Sequence, residues 1–528
     1  MDRYDGIVVG SGPTGLAATA LLGKRGWKVA AFEKHLERYA LPRAGHIDHE
    51  ILRIAQGVEA HQPIIDDQSD YDVYEWFSAD GELMMSFPFA ESVSGFRSDY
   101  MMFQPVLDDA LYEAIARTEG GTIESGRMVT DLEQDGDGVT VDLAHMTRDA
   151  DGHTVPDGET STAWAPWVLV ADGAGSTIRD EILKVPREDF GFNENWLTID
   201  VRIKRKLPSG INGQWCDPRR PTYVGGLGRR YHRFECMMLP GETEEQMLDP
   251  EMAWRVMGNY GVTRDHVEIF RQIVYSFEAR VAERWRDGRV FLLGDAAHTM
   301  PPFMGQGLCA GVRDSANLAW KLDLVRSGFA GEALLDTYQL ERQPHVQRWI
   351  DLSIMVGEIS CTLDGEKAAA RDEAILTGTA PPLPGLPVLS GGVLREVDGQ
   401  PSAPVGDIFI QARVARGDRQ GLLHDVVGHG FLLVGVDGAL RPSLGSDALD
   451  LLARIGCGIW SVDGEESDLR DLEGKIRAWF EANGIVAALV RPDYNVAAAA
   501  TSYDELPELV GWLGEALGPA QVAPGFAA

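Results

Sequence analysis

The chain has 528 residues, 44% of them apolar and 24% charged, enough for about two to four domains with full cores. Its formal charge of −33, from 48 basic and 81 acidic residues with no basic block, speaks against nucleic acid or an anionic membrane surface as a partner. The five cysteines, Cys216, Cys236, Cys309, Cys361 and Cys457, never stand at CxxC spacing, so neither a disulfide framework nor a zinc site is expected and a reducing, cytoplasmic setting is the default.

No apolar run approaches the roughly 20 residues that cross a bilayer. A strand-and-turn pattern begins within a few residues of Met1, so no signal peptide is expected. Residues 6–9 read as a buried strand, followed directly by Gly10, Gly12, Pro13, Thr14 and Gly15. A helical stripe of Leu16, Ala17, Ala20 and Leu21 then ends at Gly26. A second strand over 27–32 leads to Glu33 and Lys34. In such a βαβ unit the first glycine permits the tight turn, the second admits a pyrophosphate and the third lets helix and strand pack. An acid about twenty residues on accepts hydrogen bonds from a ribose diol. A glycine-rich turn alone is weak evidence; with both strands, the helix and the terminal acid it reads as a dinucleotide site.

Residues 37–50 are polar. Arg43 follows Pro42 and can lie against a phosphate. His46, Asp48 and His49 fit either a solvated helix start or a pocket wall, and with no further acid or cysteine at ligand spacing no metal is expected. Gln104 and Pro105 open a helix with Leu107, Ala110, Leu111 and Ala114 on one face. A strand over 167–171 runs into Asp172 and Gly173, with Arg179 beyond; a plain Asp-Gly turn and a ligand-facing turn both fit.

From Trp196 the apolar period changes to two, in Leu197, Ile199, Val201 and Ile203, and again in Tyr275, Phe277, Ala279 and Val281, with a weaker run over 231–238. These are half-exposed antiparallel strands of an inserted sheet, of the kind that walls a substrate cleft. Arg233 and Glu235 share a face of one strand, where a surface ion pair is expected. Asp287 and Gly288 make a hairpin into a strand over 290–293 that delivers Gly294 and Asp295. Pro301 and Pro302 stiffen the next loop. Gly305, Gly307 and Leu308 then bring backbone N–H groups to the head of a helix closed by Gly328. Helices continue to about 376, and the proline-rich stretch 377–406 reads as a linker. Beyond it, strands over 431–435, 455–462 and 485–490 alternate with helices, one carrying Leu469, Leu472, Ile476, Trp479 and Phe480, the last spanning 506–517. This is a small α/β layer suited to packing or dimerisation.

Taken together, the turns at 10–15, 172–179 and 294–308 with the inserted sheet resemble the single-component (class A) FAD-dependent aromatic hydroxylases of the para-hydroxybenzoate hydroxylase fold. Within them the chain is most similar to the larger subgroup of 3-(3-hydroxyphenyl)propionate hydroxylase and phenol hydroxylase. The resemblance implies an α/β fold class: a Rossmann-type FAD-binding domain (1–185 and 283–376), an inserted antiparallel-sheet substrate domain (75–105 and 186–282), the 377–406 linker, and a thioredoxin-like C-terminal domain (407–528) lacking CxxC. It implies Gly10, Gly12, Pro13, Thr14 and Gly15 at the FAD pyrophosphate, and Glu33 with Lys34 at the adenosine ribose. Arg43, Gln104, Gly294 and Asp295 would meet the phosphate and ribityl region, and Asp172, Gly173 and Arg179 an element shared with NADPH. The backbone of Gly305, Gly307 and Leu308 would face the flavin ring, with Pro302 beside C4a. Cys309 departs from the pattern, since many relatives have Asn there.

The implied activity is hydroxylation of a phenolic or other aromatic substrate with NADPH or NADH and O2 through a flavin C4a-hydroperoxide. A base must deprotonate the phenol, and His46, Asp48 and His298 are the titratable candidates, His46 foremost. The implied partners are a small aromatic substrate and O2, with no nucleic acid and no membrane, and a homodimer is a further expectation. The rivals are a Baeyer–Villiger or epoxidising enzyme on the same fold, a flavin dehydrogenase, a regulatory flavoprotein and, with no Trp-x-Trp-x-Ile-Pro stretch, a disfavoured halogenase.

Overall fold

A computed structural model describes residues 1–436, 440–464 and 468–519. At its centre three short apolar strands, Gly6–Val9, Val168–Val170 and Val290–Leu292, are almost wholly buried and lie side by side in parallel. Strands covered on both faces need no polar alternation, which is why they read as continuous apolar runs. Val29–Glu33 and Gly121–Ser125 extend the sheet on one side, and Arg286–Asp287 closes the other. The register pairs Val9 with Val170 and Val170 with Leu292. The three turns that follow these strands therefore leave the sheet together at its C-terminal edge, where α/β ligands bind.

Two helices cover the sheet behind those turns, Pro13–Lys24 and Gly307–Arg326. They pack closely through small residues: a Cβ on Gly311 would lie 2.2 Å from Thr14 Oγ1, and one on Gly294 2.6 Å from the same atom. Ser315 Oγ donates to Thr14 O at 2.9 Å. The two glycine turns are thus brought together although almost three hundred residues separate them in the chain.

The second large sheet has eight strands in the order His298–Thr299, Val267–Ala282, Arg187–Ile203, Tyr231–Met237, Thr222–Leu227, Gly213–Trp215, Val73–Phe77 and Leu83–Pro88. One face, with Leu197, Ile199, Val201, Phe234 and Cys236, packs on Met252, Ala253, Val256 and Met257 of the helix Pro250–Gly258. The opposite face turns toward the loops of the first sheet. Arg233 lies on that face and is buried: the expected pair with Glu235 is present at 3.5 Å but inside the protein, not at its surface, and the guanidinium grips Asp200 more closely, at 2.7 and 3.1 Å. Alternation shows that a strand has two faces but not which of them another element covers. A four-stranded sheet of Asp2–Arg3, Thr154–Ala165, Val139–Arg148 and Arg127–Gln134 carries no assignment from sequence; its outer residues are largely polar and exposed, and its apolar period is weak.

The C-terminal sheet has the order Gly458–Val462, Leu432–Val436, Ala487–Val490, Val496–Ala500, parallel in its first pair and antiparallel in the others, the arrangement of a thioredoxin-like layer. Two of its elements begin later than expected. Gly456, at φ +67°, ends the preceding helix and delays the strand to Gly458. The helix expected from Leu469 starts at Lys475, because the Asp471 carboxylate accepts the N–H groups of Ile476 and Arg477 after Gly474 turns the chain at φ +68°. Nor is 377–406 a free tether throughout: Leu389, Val393, Leu394 and Val405 are buried, and Val393 N donates to Glu341 at 2.9 Å.

Candidate active site

Gly10 opens the first turn at φ +97°, and a Cβ there would lie 2.5 Å from Ala171 O. Gly15 must be glycine for a second reason, since its Cβ would sit 2.0 Å from Gly10 O. Between them Gly12 faces open space, with no atom within 4 Å of where its Cβ would be. Helix Pro13–Lys24 begins there with no side-chain cap, and helix Gly307–Arg326 begins beside it, also uncapped. Two such starts present N–H groups that nothing within the helix can satisfy, together with the positive ends of two dipoles. A diphosphate suits that position.

Glu33 accepts from Ser11 N at 2.9 Å, Ser11 Oγ at 3.0 Å and His35 N at 2.9 Å, so it braces the glycine turn from the end of its strand. Lys34 is exposed beside it. In the second turn Asp172 Oδ1 has no partner, and burial pushes this carboxyl above its usual value. In the third, Asp295 is crowded by protein and its carboxyl is likewise pushed up by burial, yet the residue stays open to solvent, as on the floor of a recess. Unpartnered acceptors, free N–H donors and an open glycine are what a polyhydroxylated diphosphate needs, so these residues fit FAD.

Arg179 behaves differently from the expectation of a cofactor contact. It is fully buried and its guanidinium is engaged by protein: both Asp180 oxygens, Ala174 O at 2.8 Å and Ala296 O at 3.0 Å. It ties the turn after Gly173 to the loop carrying Asp295, and so positions both. Gln104 works in the same manner. Its buried side-chain oxygen receives Arg43 N at 3.0 Å and Ala44 N at 2.9 Å, leaving the exposed Arg43 side chain over the Tyr39 ring at the rim. Behind that loop Arg233 donates to Pro42 O and Arg43 O, and Arg271 donates to Pro42 O.

Asp48 and His46 have no side-chain oxygen or ring nitrogen left unpaired, and His298, whose Nδ1 has no partner, is shut away from solvent. Asp48 caps the helix His49–Gly57 with Oδ1, taking Glu50 N at 3.0 Å and Ile51 N at 3.3 Å, while Oδ2 is held by Gln306 and Arg313. Burial opposes its charge, but Arg313 outweighs that and holds the carboxyl at about 2. His46 has both ring nitrogens on acceptors, Nε2 at 2.8 Å from Asp99 and Nδ1 at 3.3 Å from Gly305 O. Burial works against its protonation, yet Asp99 raises it above the usual value. His46 therefore ties the Gly305 loop to Asp99. His298 is 1% exposed and turned to Asp314 at 2.7 Å, which also receives Gly294 N at 3.0 Å. Pro302 begins the half-buried turn Pro302–Met304, and Gly305 leaves it at φ +64°, ahead of Gly307 and Leu308. Cys309 is buried with Sγ 3.6 Å from Gly305 O. No sequence signal marks Asp200, Arg271 or Asp314, whose partners lie far away in the chain. Two other hollows lie outside the cradle, one lined by Arg286, Asp336 and Gln339 and one by Arg53, Asn317 and Tyr494, the second reaching Glu50 and Arg313 behind Asp48.

Comparison with known proteins agrees with this geometry. The FAD binding domain family model matches residues 3–353, and the HcaD C-terminal domain model matches 406–515. A probable NADH-specific resorcinol 4-hydroxylase of Rhodococcus jostii (strain RHA1) is 32% identical over 98% of this chain and 96% of its own. A 3-(3-hydroxy-phenyl)propionate/3-hydroxycinnamic acid hydroxylase of Klebsiella pneumoniae (strain 342) is 33% identical over 96% of this chain and 92% of its own. Among solved structures, aklavinone-11 hydroxylase with FAD and aklavinone superposes with a TM-score of 0.78 at 24% identity, covering 98% of this chain and 99% of that one. The likeness to the structure supports the fold; the near full-length relatives and the family model support more. The chain belongs to the FAD-binding-domain family of flavin-dependent aromatic hydroxylases.

Proposed function

We propose that the protein hydroxylates a single-ring phenol bearing a second polar substituent meta to its hydroxyl, with NADH as reductant. Resorcinol and 3-(3-hydroxyphenyl)propionate, named for the two relatives, share that pattern. The observation that carries the reading is the cradle of two uncapped helix starts facing the buried side of the eight-stranded sheet. Gly10, Gly12, Thr14 and the head of helix Gly307–Arg326 would hold the FAD pyrophosphate, and Glu33 the adenosine ribose. Asp295 and Asp172 would hold hydroxyls on either side of the diphosphate. Leu308 and Gly307 would offer backbone N–H groups to the ring, with Pro302 beside it. When bound, FAD supplies the two-electron chemistry that activates O2. The chain's own task is to orient the phenol, exclude water and take up the phenolic proton.

The test is a panel of mono- and bicyclic phenols scored together for NADH and NADPH oxidation, hydrogen peroxide release and 18O incorporation from labelled O2. Stimulation and labelled product are expected for meta-substituted monocyclic phenols. Turnover without labelled product would make the protein a dehydrogenase, and a lactone or epoxide would move it to the rival oxygenations.

A further inference from the structure

The register of the eight-stranded sheet places four polar side chains and the Trp76 ring in one rank across the face turned to the cradle. Thr198 is paired with Glu235, Glu235 with Tyr223, Tyr223 with Gln214 and Gln214 with Trp76. The rank on one side is Arg271, Asp200, Arg233 and Gly225, whose arginines clasp the carbonyls of Pro42 and Arg43. The rank on the other side holds Trp196, whose ring meets Phe303 of the Pro302–Met304 turn at 5.7 Å. Ranks on one face are about 7 Å apart, two residues of strand. The middle rank therefore lies opposite the opening between the Arg43 loop and the Pro302 turn, over the place where the cradle's ring site opens.

The atoms in this rank are unfinished. Gln214 is 3% exposed and its Nε2 has no partner, a buried donor that needs an acceptor from outside. Glu235 takes Thr198 Oγ1 at 3.1 Å on Oε1, with Arg233 Nη1 3.5 Å from the same oxygen, and among the described residues Oε2 has no hydrogen-bond partner. Tyr223 folds its hydroxyl over Gly225, where a Cβ would lie 2.1 Å from it. Both Glu235 and Tyr223 sit deep in the protein yet remain part-exposed, as residues of a recess do.

We infer that Glu235 is the proton acceptor for the substrate's phenolic hydroxyl, with Gln214 and Tyr223 on the same rank gripping the ring's polar substituents. The inference rests on the phenol reading above. In the step, the phenolic O–H bond breaks, the proton passes to the Glu235 carboxylate, and the electron pair stays on oxygen. The ring is thereby enriched in electrons at its ortho and para carbons, ready for electrophilic oxygen. The charged and titratable groups around Glu235 are Arg233 on its own strand, Asp200 and Arg271 on strands packed beside it, and Tyr223 opposite. Burial raises the Glu235 carboxyl, Arg233 draws it back and Asp200 raises it again, and a carboxylate of heightened proton affinity is the better base.

The test uses the FAD-loaded oxidised protein and 4-nitrophenol, whose ionisation is read from difference spectra without turnover. The wild type should bind it as phenolate at pH values below the ligand's own pKa. Glu235→Gln should abolish that preference and lower the hydroxylation rate on the order of 10²-fold or more, with loss of the acid limb of the rate profile; Glu235→Asp should restore part of both. Gln214→Leu should weaken nitrophenol binding about tenfold without changing the ionisation of what binds. Retention of wild-type ligand ionisation or of the acid limb by Glu235→Gln, with FAD content and melting unchanged, overturns the assignment while the phenol reading stands. A wild type that neither binds nitrophenol nor oxidises NADH faster with any phenol overturns both.

Discussion

Replacing Asp48 by Asn separates a structural carboxylate from a catalytic one. Asn keeps a side-chain oxygen able to cap the helix His49–Gly57, so the N–H groups of Glu50 and Ile51 retain their acceptor. What is lost is the charge facing Arg313. A carboxyl held at about 2, against an ordinary value near 4, corresponds to on the order of 2–3 kcal/mol in favour of the ionised pair. Breaking one partner of a buried pair costs about 3–5 kcal/mol when the other is left alone. Here Glu50 still holds Arg313 Nε at 2.8 Å, so the expected cost is about 2–4 kcal/mol. Because the folded value is depressed, this contribution is complete above the ordinary carboxyl range and disappears as pH falls through about 2. Thermal unfolding, followed by the rise in flavin fluorescence on release, should show Asp48→Asn melting several degrees lower at pH 7. The gap from wild type should narrow below about pH 4. An unaltered melting point with a large fall in hydroxylation would refute this account and return Asp48 to the role of base.

Three further outcomes follow from the same contacts. His46 is raised by Asp99, so its latch on Gly305 is complete below the ordinary imidazole range and weakens as pH rises through the higher folded value; FAD dissociation should quicken on the alkaline side in the wild type and lose that dependence in His46→Gln. Gly311→Ala puts a methyl 2.2 Å from Thr14 Oγ1 and 3.1 Å from Gly294 Cα, and overpacking of about 1–3 kcal/mol should appear as weaker FAD binding to the apoprotein. Arg491→Met leaves buried Glu341, which is held at about 2 against burial, with Lys321 as its remaining counter-charge and Asn317 and Val393 N as donors, and a loss of about 2–4 kcal/mol should make the FAD-binding and C-terminal units melt apart in calorimetry instead of together.

The parts of this fold that could be read from sequence are those whose physics is local. A strand, a glycine at positive φ and a helix start lie within a few residues at Gly10 and again at Gly305 and Gly307, and the chemistry of each turn is complete in its own stretch. The Asp48 cap is equally local, an acid immediately before an apolar helical period, and reading it as a cap would have removed Asp48 from the candidate bases. What could not be read depends on pairs far apart in the chain. Arg233 and Asp200 are 33 positions apart and Arg271 reaches Pro42 across 229, so nothing in either neighbourhood distinguishes a buried clasp from an exposed charge.

The same limit explains why the sheet was recognised and its working face was not. Period-two alternation assigns Thr198, Glu235 and Tyr223 to one side or the other of their own strands, but it says nothing of which residues stand abreast. Standing abreast is what recognises a flat ring, because a rank crosses the strands at about 4.8 Å intervals, matching the spacing between substituents on one aromatic ring better than the about 7 Å step along a strand. A one-residue slip of Tyr231–Met237 against Arg187–Ile203 would turn Glu235 from the recess to the helix side and bring Phe234 or Cys236 into its place. The clasp of Arg233 on Asp200, two residues along from Glu235 and Thr198, forbids that slip, since it would bury one charge without the other. The ion pair that holds the Arg43 loop therefore also keeps the carboxylate facing the ring site.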